Sequence, residues 1–265
     1  MSYLSTSYGE LFYKEYGEGE PVIFLNGMAM STNSWSPFIR DVAKKNKMIV
    51  IDLIDQGKSY GFDGEYTIET QSDALKEVLD ALNIDRGHIV GISYGGQVAQ
   101  SFTLKYMNKV KSLTLINTSA NADTHIRKLI KSWIDAAKTL DGEYFSSVML
   151  KSMYSKRYYK EHHNKIIELQ EYFKKKLDKD YYDKLLRTYN SSLDFNVIQE
   201  LNKIKIPTLI ITSEEDYVTP KGFQLDLHEQ IVNSKMGTFK DCGHGIIYEK
   251  PQEFIKTLLY FIHSS

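Results

Sequence analysis

His88-Ile89-Val90-Gly91-Ile92, followed at once by Ser93-Tyr94-Gly95-Gly96-Gln97-Val98-Ala99, is the stretch that decides the fold. Its first half is a short apolar, β-branched run. Its second half opens a helical pattern that continues to Tyr106, and the two meet in Gly91-Ile92-Ser93-Tyr94-Gly95. A G-x-S-x-G between a strand and a helix places its serine on a sharp, strained turn. Glycines two residues before and after are needed because larger side chains would collide with the neighbouring strand and helix. Such a turn lifts the Ser93 hydroxyl into a cleft. It also sets the Tyr94 backbone N–H at a helix N-terminus, where hydrogen bond and dipole together stabilise a developing oxyanion.

Working outward, comparable runs recur at Val22–Leu25, Met48–Ile51, Leu113–Ile116 and Thr208–Ile211. Continuous apolar runs suit strands buried on both faces of a parallel sheet. A helical pattern lies between two of them at Ile68–Leu82, with Ala74, Leu75, Val78, Leu79 and Leu82 on one side. The alternation reads as βαβ units and predicts an α/β fold, a mostly parallel twisted sheet with helices on both faces. Upstream, Leu11–Tyr16 and the turn Gly17-Glu18-Gly19-Glu20-Pro21 read as a first strand, a turn and the next strand, an antiparallel lead-in. From about Ala120 to Asn202 the strand rhythm stops and the chain becomes lysine-rich, amphipathic and helical. The rhythm returns at Ile206-Pro207-Thr208, continues through Lys235–Phe239 and closes with a helix from Pro251 to His263, whose proline suits a first helical turn. The expected organisation is therefore one core, 1–119 and 203–265, interrupted by a helical lid, 120–202.

Composition excludes several classes. The 265 residues suffice for one large α/β domain, and 42% hydrophobic with 25% charged residues is ordinary for a globular chain. Thirty-three Lys+Arg against 34 Asp+Glu leave a formal charge of −1. No global positive field is available for nucleic acid, which is not an expected partner. Met1-Ser2-Tyr3-Leu4-Ser5-Thr6 has neither the basic stretch nor the apolar run of a signal peptide, and no segment approaches the ~20 apolar residues of a membrane span. The expected location is the cytoplasm, away from the membrane. A single cysteine, Cys242, excludes an intramolecular disulfide and a cysteine-based metal cluster. Nothing in the sequence sets an oligomeric state.

A serine hydroxyl is a weak nucleophile, so the reading of Ser93 requires a histidine and an acid further along the chain, in the order Ser, acid, His. His88, His125, His162, His163, His228 and His263 have no motif around them. His244 lies in Asp241-Cys242-Gly243-His244-Gly245, a glycine-flanked loop after the final strand and before the last helix, from which an imidazole can reach a serine at the sheet's C-terminal edge. The acid should follow the preceding strand. Thr208–Thr212 runs into Ser213-Glu214-Glu215-Asp216-Tyr217-Val218-Thr219-Pro220, where three carboxylates compete.

With these motifs in order, the chain resembles the α/β-hydrolase family over nearly its whole length. That family's acid loop commonly reads G-x-x-D-x-x-x-P, and Asp216 and Pro220 match its tail, with Ser213 in place of the glycine. The resemblance therefore selects Asp216. The family opens its core with H-G followed some way on by tryptophan. Here Asn26-Gly27-Met28 precedes Trp35, so Asn26 replaces the histidine and Met28 N–H becomes the second oxyanion donor. An aspartate followed by G-x-G-x-S appears as Asp52 to Ser59, with Asp55 replacing the first glycine. Related epoxide hydrolases and haloalkane dehalogenases carry aspartate at the elbow, and Ser93 excludes them.

The resemblance implies acyl transfer on a small-molecule acyl substrate, a carboxylic ester above all, through Ser93, His244 and Asp216. Neither a metal nor an organic cofactor is called for: no metal-ligand spacing and no phosphate-binding glycine loop opening the first βα unit is present. Thioesterases, lactonases, C–C bond hydrolases and acyltransferases share the triad, and some relatives act as small-molecule sensors whose lid presents a surface to a partner protein. Asn26 and Trp133 are the candidate substrate contacts. Ile126, Leu129, Ile130, Trp133 and Ile134, at helical spacing, either line an acyl pocket or bury a stripe against the core. Tyr154, Tyr158 and Tyr159, among Lys156, Arg157 and Lys160, read more simply as a solvated face than as substrate contacts.

Overall fold

The computed structural model describes residues 2–176 and 178–265. Its strands are β1 (Ser2–Thr6), β2 (Gly9–Tyr16), β3 (Glu20–Leu25), β4 (Asn46–Ile51), β5 (Gly87–Ile92), β6 (Val110–Ile116), β7 (Thr208–Ser213) and β8 (Ser234–Phe239). They form one sheet in the order β1-β2-β4-β3-β5-β6-β7-β8. Every pair from β4 to β8 is parallel, and β1–β2 and β2–β4 are antiparallel. The lead-in is thus antiparallel, but β2 and β3 are not hydrogen-bonded neighbours. β4 inserts between them, pairing Tyr13 with Ile51 on one side and Leu25 with Ile51 on the other.

The helices are α1 (Ile39–Val42), α2 (Ile68–Ala81), α3 (Tyr94–Lys105), α4 (Thr124–Ala137), α5 (Gly142–Met153), α6 (Lys156–Glu161), α7 (His163–Lys176), α8 (Lys179–Leu193), α9 (Lys221–Gln230), α10 (Ile246–Glu249) and α11 (Pro251–Ile262). Among the described residues, no helix is long and apolar enough to cross a membrane. Alternation along the central strands explains the continuous apolar runs. Ile23, Leu25, Ile49, Ile51 and Ile89 turn to a core shared with Leu75 and Val78 of α2 and Val98 and Phe102 of α3. Val22, Phe24, Met48, Val50 and Val90 turn to the opposite core, shared with Phe254, Leu258 and Ile262 of α11. With helices on both faces, neither strand face can be polar.

Between β6 and β7 the chain runs through α4 to α8, which bury an apolar cluster of their own around Phe145, Ile166, Tyr182 and Tyr189. These helices start where the side chains allow. Asp123, Asp141, Ser155 and Asp178 accept from Ile126 N, Tyr144 N, Tyr158 N and Tyr181 N at 2.9, 3.0, 3.1 and 2.9 Å, N-caps worth about 1 kcal/mol each. The excursion leaves and returns at one place. Ala122 N donates to Phe195 O at 2.9 Å and Val197 N to Ala120 O at 2.8 Å, an antiparallel bridge centred on Asn121 and Asn196.

Candidate active site

Ser93 follows β5 directly and has φ 51° and ψ −117°, left-handed backbone that costs a non-glycine residue about 1–3 kcal/mol. The surrounding glycines allow it. A Cβ on Gly91 would press into the Gly95 carbonyl, and one on Gly95 into the carbonyl of Leu25 at the end of β3. Three elements therefore converge within backbone contact, and Ser93 is left half-buried at the mouth between them.

His244 and Asp216 are both buried. His244 Nδ1 lies 2.8 Å from Asp216 Oδ2 and 3.0 Å from Oδ1. The carboxylate is held from behind as well: Oδ1 accepts from Val218 N at 2.8 Å and Thr219 N at 2.9 Å, and Oδ2 from Thr219 Oγ1 at 3.0 Å. Of the three competing carboxylates only Asp216 turns inward, whereas Glu214 is exposed and Glu215 half-buried. Asn117, at the end of β6, donates to His244 O at 3.0 Å and to Ser213 Oγ at 2.9 Å, joining the histidine loop to β7. The serine that replaces the family's glycine at 213 is thus part of that joint. Next to His244, burial pushes the Cys242 thiol up to about 12, so it stays protonated and is no rival nucleophile.

Ser93 and His244 line the same cavity of about 660 Å³. Its floor is Gly27, Met28 and Ile92, and its roof comes from α4, α5, α7 and α8, including Trp133, Met149, Ile166, Phe173 and Tyr189. Lys165 and Glu168 are the charged side chains on its wall, and both are exposed, so they sit at its rim. Among the described residues neither Met28 N–H nor Tyr94 N–H has a backbone acceptor.

The structure separates the two candidate substrate contacts. Trp133 lines the cavity. Asn26 does not: it is fully buried beneath the floor, its Oδ1 accepting from Trp35 Nε1 at 2.8 Å and its Nδ2 donating to Ile51 O at 3.0 Å and Asp52 Oδ1 at 3.2 Å. Its amide is used up in bracing β3 against β4 and cannot meet a substrate. Ile126, Leu129 and Ile130 line a small side pocket next to Ser93 and Tyr94, whereas Ile134 packs inside the helical cluster. The solvated-face reading holds for Lys156, Arg157 and Lys160 but fails for Tyr154 and Tyr158, whose stacked rings, 5.1 Å apart, form part of the cavity wall. Tyr154 ends α5 in extended backbone and Tyr158 lies in α6, so no helical spacing in the sequence signalled this pair.

Asp52 is a brace behind the site. Thr32 N and Lys58 N donate to it at 2.6 and 3.0 Å, while burial pushes its carboxyl above its usual range. Gly57, at φ 51°, passes so close that a Cβ would strike the Asp52 carboxylate. Sequence reasoning missed Glu249. Its Oε1 accepts from Gly243 N at 3.0 Å and Ser155 N at 3.1 Å, and its Oε2 from Ser155 Oγ at 2.5 Å. One half-buried carboxylate thereby ties the histidine loop to the turn between α5 and α6. No local spacing signals a contact between residues so far apart in the chain.

Residues 20–251 match the family described as alpha/beta hydrolase fold. MGS-M2, an alpha/beta hydrolase enzyme from a Medee basin deep-sea metagenome library, is 31% identical and superposes with a TM-score of 0.97 over 100% of this chain and 98% of that one. A 2-hydroxy-6-oxononadienedioate/2-hydroxy-6-oxononatrienedioate hydrolase of Paraburkholderia phymatum is 28% identical over 94% of this chain and 90% of its own. A cis-3-alkyl-4-alkyloxetan-2-one decarboxylase of Shewanella oneidensis is 27% identical over 98% and 87%. The chain belongs to the α/β-hydrolase fold family. It is an enzyme of the hydrolase class, related to proteins that act on small molecules.

Proposed function

We propose that the protein hydrolyses neutral carboxylic esters carrying an apolar acyl or alcohol group, with Ser93 as nucleophile. Neutral His244 takes the Ser93 proton as Oγ attacks the carbonyl carbon, and the carbonyl oxygen becomes an oxyanion held by the N–H groups of Met28 and Tyr94. Asp216 keeps the His244 Nδ1 proton in place and stabilises the imidazolium. The imidazolium then protonates the leaving alkoxide, an acyl-enzyme remains, and water repeats the attack with His244 again as base. The helical segment 120–202 serves as the lid that shapes the substrate cavity.

The observation that carries this reading is the convergence of Ser93, on its strained elbow, and the His244–Asp216 pair upon one apolar cavity. The wall supports a neutral substrate: a charged group inside would be desolvated with no opposite charge beside it, at a cost of several kcal/mol. The volume falls within the 300–1,000 Å³ typical of small-molecule sites. The test is a fluorophosphonate probe combined with p-nitrophenyl esters of increasing acyl length and a matched thioester. Ser93 should be labelled, Ser93→Ala should lose labelling and turnover while remaining folded, and kcat/KM should rise with chain length. Labelling that persists in Ser93→Ala, or a preference for dicarboxylate monoesters over neutral ones, would overturn the proposal.

A further inference from the structure

The peptide between Ser93 and Tyr94 carries the oxyanion donor of the mechanism above, and it is gripped by its other end. Ser93 O accepts from Thr118 Oγ1 at 2.7 Å, from Gly96 N at 2.8 Å and from Gln97 N at 3.2 Å. Two of these donors belong to the first turn of α3 and come with any helix. The Thr118 hydroxyl does not. It arrives from the residue pair that follows β6, on a different part of the sheet. In a planar trans peptide the C=O and N–H point in opposite directions, so fastening the oxygen toward Thr118 aims the Tyr94 N–H the other way.

Such a grip is needed because the elbow is strained. A serine at φ 51° relaxes by rotating the adjoining peptide, and that rotation would swing the donor off the oxyanion. Thr118 is itself immobile. It is fully buried, its own carbonyl accepts from Gln224 Nε2 at 2.7 Å, and its side chain fills the space over Gly96, where an added Cβ would lie 2.6 Å from it. The far end of Tyr94 is also held. Gln71 Nε2 donates to the phenol oxygen at 3.1 Å, and the phenol lies 2.8 Å from Ser191 Oγ, whose own proton is committed to Thr188 O at 2.8 Å. The phenol is therefore the donor to Ser191, and Tyr94 cannot follow a rotating peptide without breaking this chain.

We propose that Thr118 is a positioning residue for the reaction, its hydroxyl acting through the Ser93 carbonyl to set the direction of the Tyr94 N–H. The proposal rests on the acyl-enzyme reading above. An oxyanion donor serves the transition state more than the bound ester, so its misdirection lowers kcat and leaves KM in place. A residue that merely supported the cavity would show the reverse.

The experiment compares Thr118→Val, which keeps the shape and loses the hydroxyl, with Thr118→Ser, which keeps the hydroxyl. Fluorophosphonate titration of Ser93 normalises for active protein, and a trifluoromethyl ketone reports affinity for a tetrahedral adduct. Thr118→Val should lose about tenfold in kcat with KM within about twofold, less than the ~10²–10³ for removing a donor outright, and the ketone affinity should fall by the same factor. Thr118→Ser should recover most of both. If the valine variant does not fold, Thr118→Ala, which relieves the crowding at Gly96, should give the same split. A hydroxyl-free variant with wild-type kcat, or one whose whole loss lies in KM with unchanged ketone affinity, overturns the proposal. Wild-type protein that neither labels at Ser93 nor releases p-nitrophenol removes the acyl-enzyme reading itself. Wild-type protein that does both, beside variants equal to it, removes the Thr118 inference alone.

Discussion

Arg187 and Asp55 meet face to face across the join between the helical insertion and the sheet, Arg187 Nε 2.7 Å from Asp55 Oδ2 and Nη2 2.8 Å from Oδ1. The aspartate stands where the family resemblance expects glycine, at φ 63°, and its side chain is 3% exposed against 28% for the arginine. Left-handed backbone costs a non-glycine residue about 1–2 kcal/mol, which the two parallel charge-assisted hydrogen bonds offset. At the next residue of α8, Thr188 Oγ1 lies 3.1 Å from the Tyr66 phenol, so the helix is fixed to the core at two adjacent residues.

Arg187→Ala should lower unfolding stability by about 2–3 kcal/mol, below the usual cost of breaking a fully buried pair because the arginine is partly solvated. The damage lies mainly in the unpaired Asp55 carboxylate. Adding Asp55→Gly to Arg187→Ala should therefore restore stability. Urea unfolding of the two single variants and the double variant measures the coupling, and strictly additive losses would contradict the pair.

The choice among three acids has a kinetic consequence. Asp216→Asn should lower turnover on the order of ~10⁴-fold with the fold intact, because the amide favours the wrong imidazole tautomer and leaves the imidazolium unsupported. Glu214→Gln and Glu215→Gln should change single-turnover acylation less than about threefold, since one side chain is exposed and neither meets His244. Near-normal acylation in Asp216→Asn beside a collapse in either neighbour would move the acid.

Glu249 should make stability depend on pH. Burial raises its pKa above the ordinary 4.5, outweighing the hydrogen bonds from Ser155 and Gly243 that pull it down. Folding thus favours the protonated form, and its contribution is fully present below the ordinary value and lost as pH rises through the raised one. Glu249→Gln, neutral throughout, lacks this slope. Denaturant titrations from roughly pH 4 to 8 should show the wild-type stability, relative to the variant, declining above 4.5 and then levelling. A constant difference across that range would disprove the assignment.

Gly95→Ala should abolish labelling of Ser93 and destabilise the chain by several kcal/mol, on the order of the larger single-residue effects. The added Cβ would press into the Leu25 carbonyl, backbone that cannot rotate aside as a side chain can. Gly222→Ala is the control, because a Cβ there meets nothing within 4 Å. Thermal unfolding of both variants distinguishes the crowded elbow from a general glycine effect.

Much of this arrangement was legible in the chain because it is written in local pattern. The strands β3 to β7 show as apolar runs because helices cover both faces, and Ser93 shows because its two glycines, one pressed by the turn itself and one by the end of β3, stand at fixed spacing around it. β1 was not legible. Ser-Tyr-Leu-Ser-Thr is a largely exposed edge strand, and its pairing with β2 gives it no buried face to mark. The placement of β4 between β2 and β3 escaped for a related reason, since pairing order is a property of the whole sheet. Asn26 was misread because alignment gave its position near the oxyanion loop but not the direction of its amide. Glu249 and Thr118 act through partners distant in the chain, and no periodicity carries such contacts.

The bridge at Asn121 and Asn196 has a consequence for how such a protein changes over generations. Because the excursion departs and re-enters at one point, the sheet experiences it as a single closed loop, and doubling the length of a flexible loop costs only about 0.6 kcal/mol of closure entropy. Ser93, Asp216, His244, Met28 and Tyr94 all lie outside it, while much of the cavity roof lies within it. Much of any heritable change in what the pocket admits can therefore fall on a stretch of chain that holds none of the proposed catalytic residues. A cassette borrowed from a relative and spliced at that bridge would have to bring its own partners for Glu249 and Tyr94, which Ser155 and Ser191 of the excursion now supply.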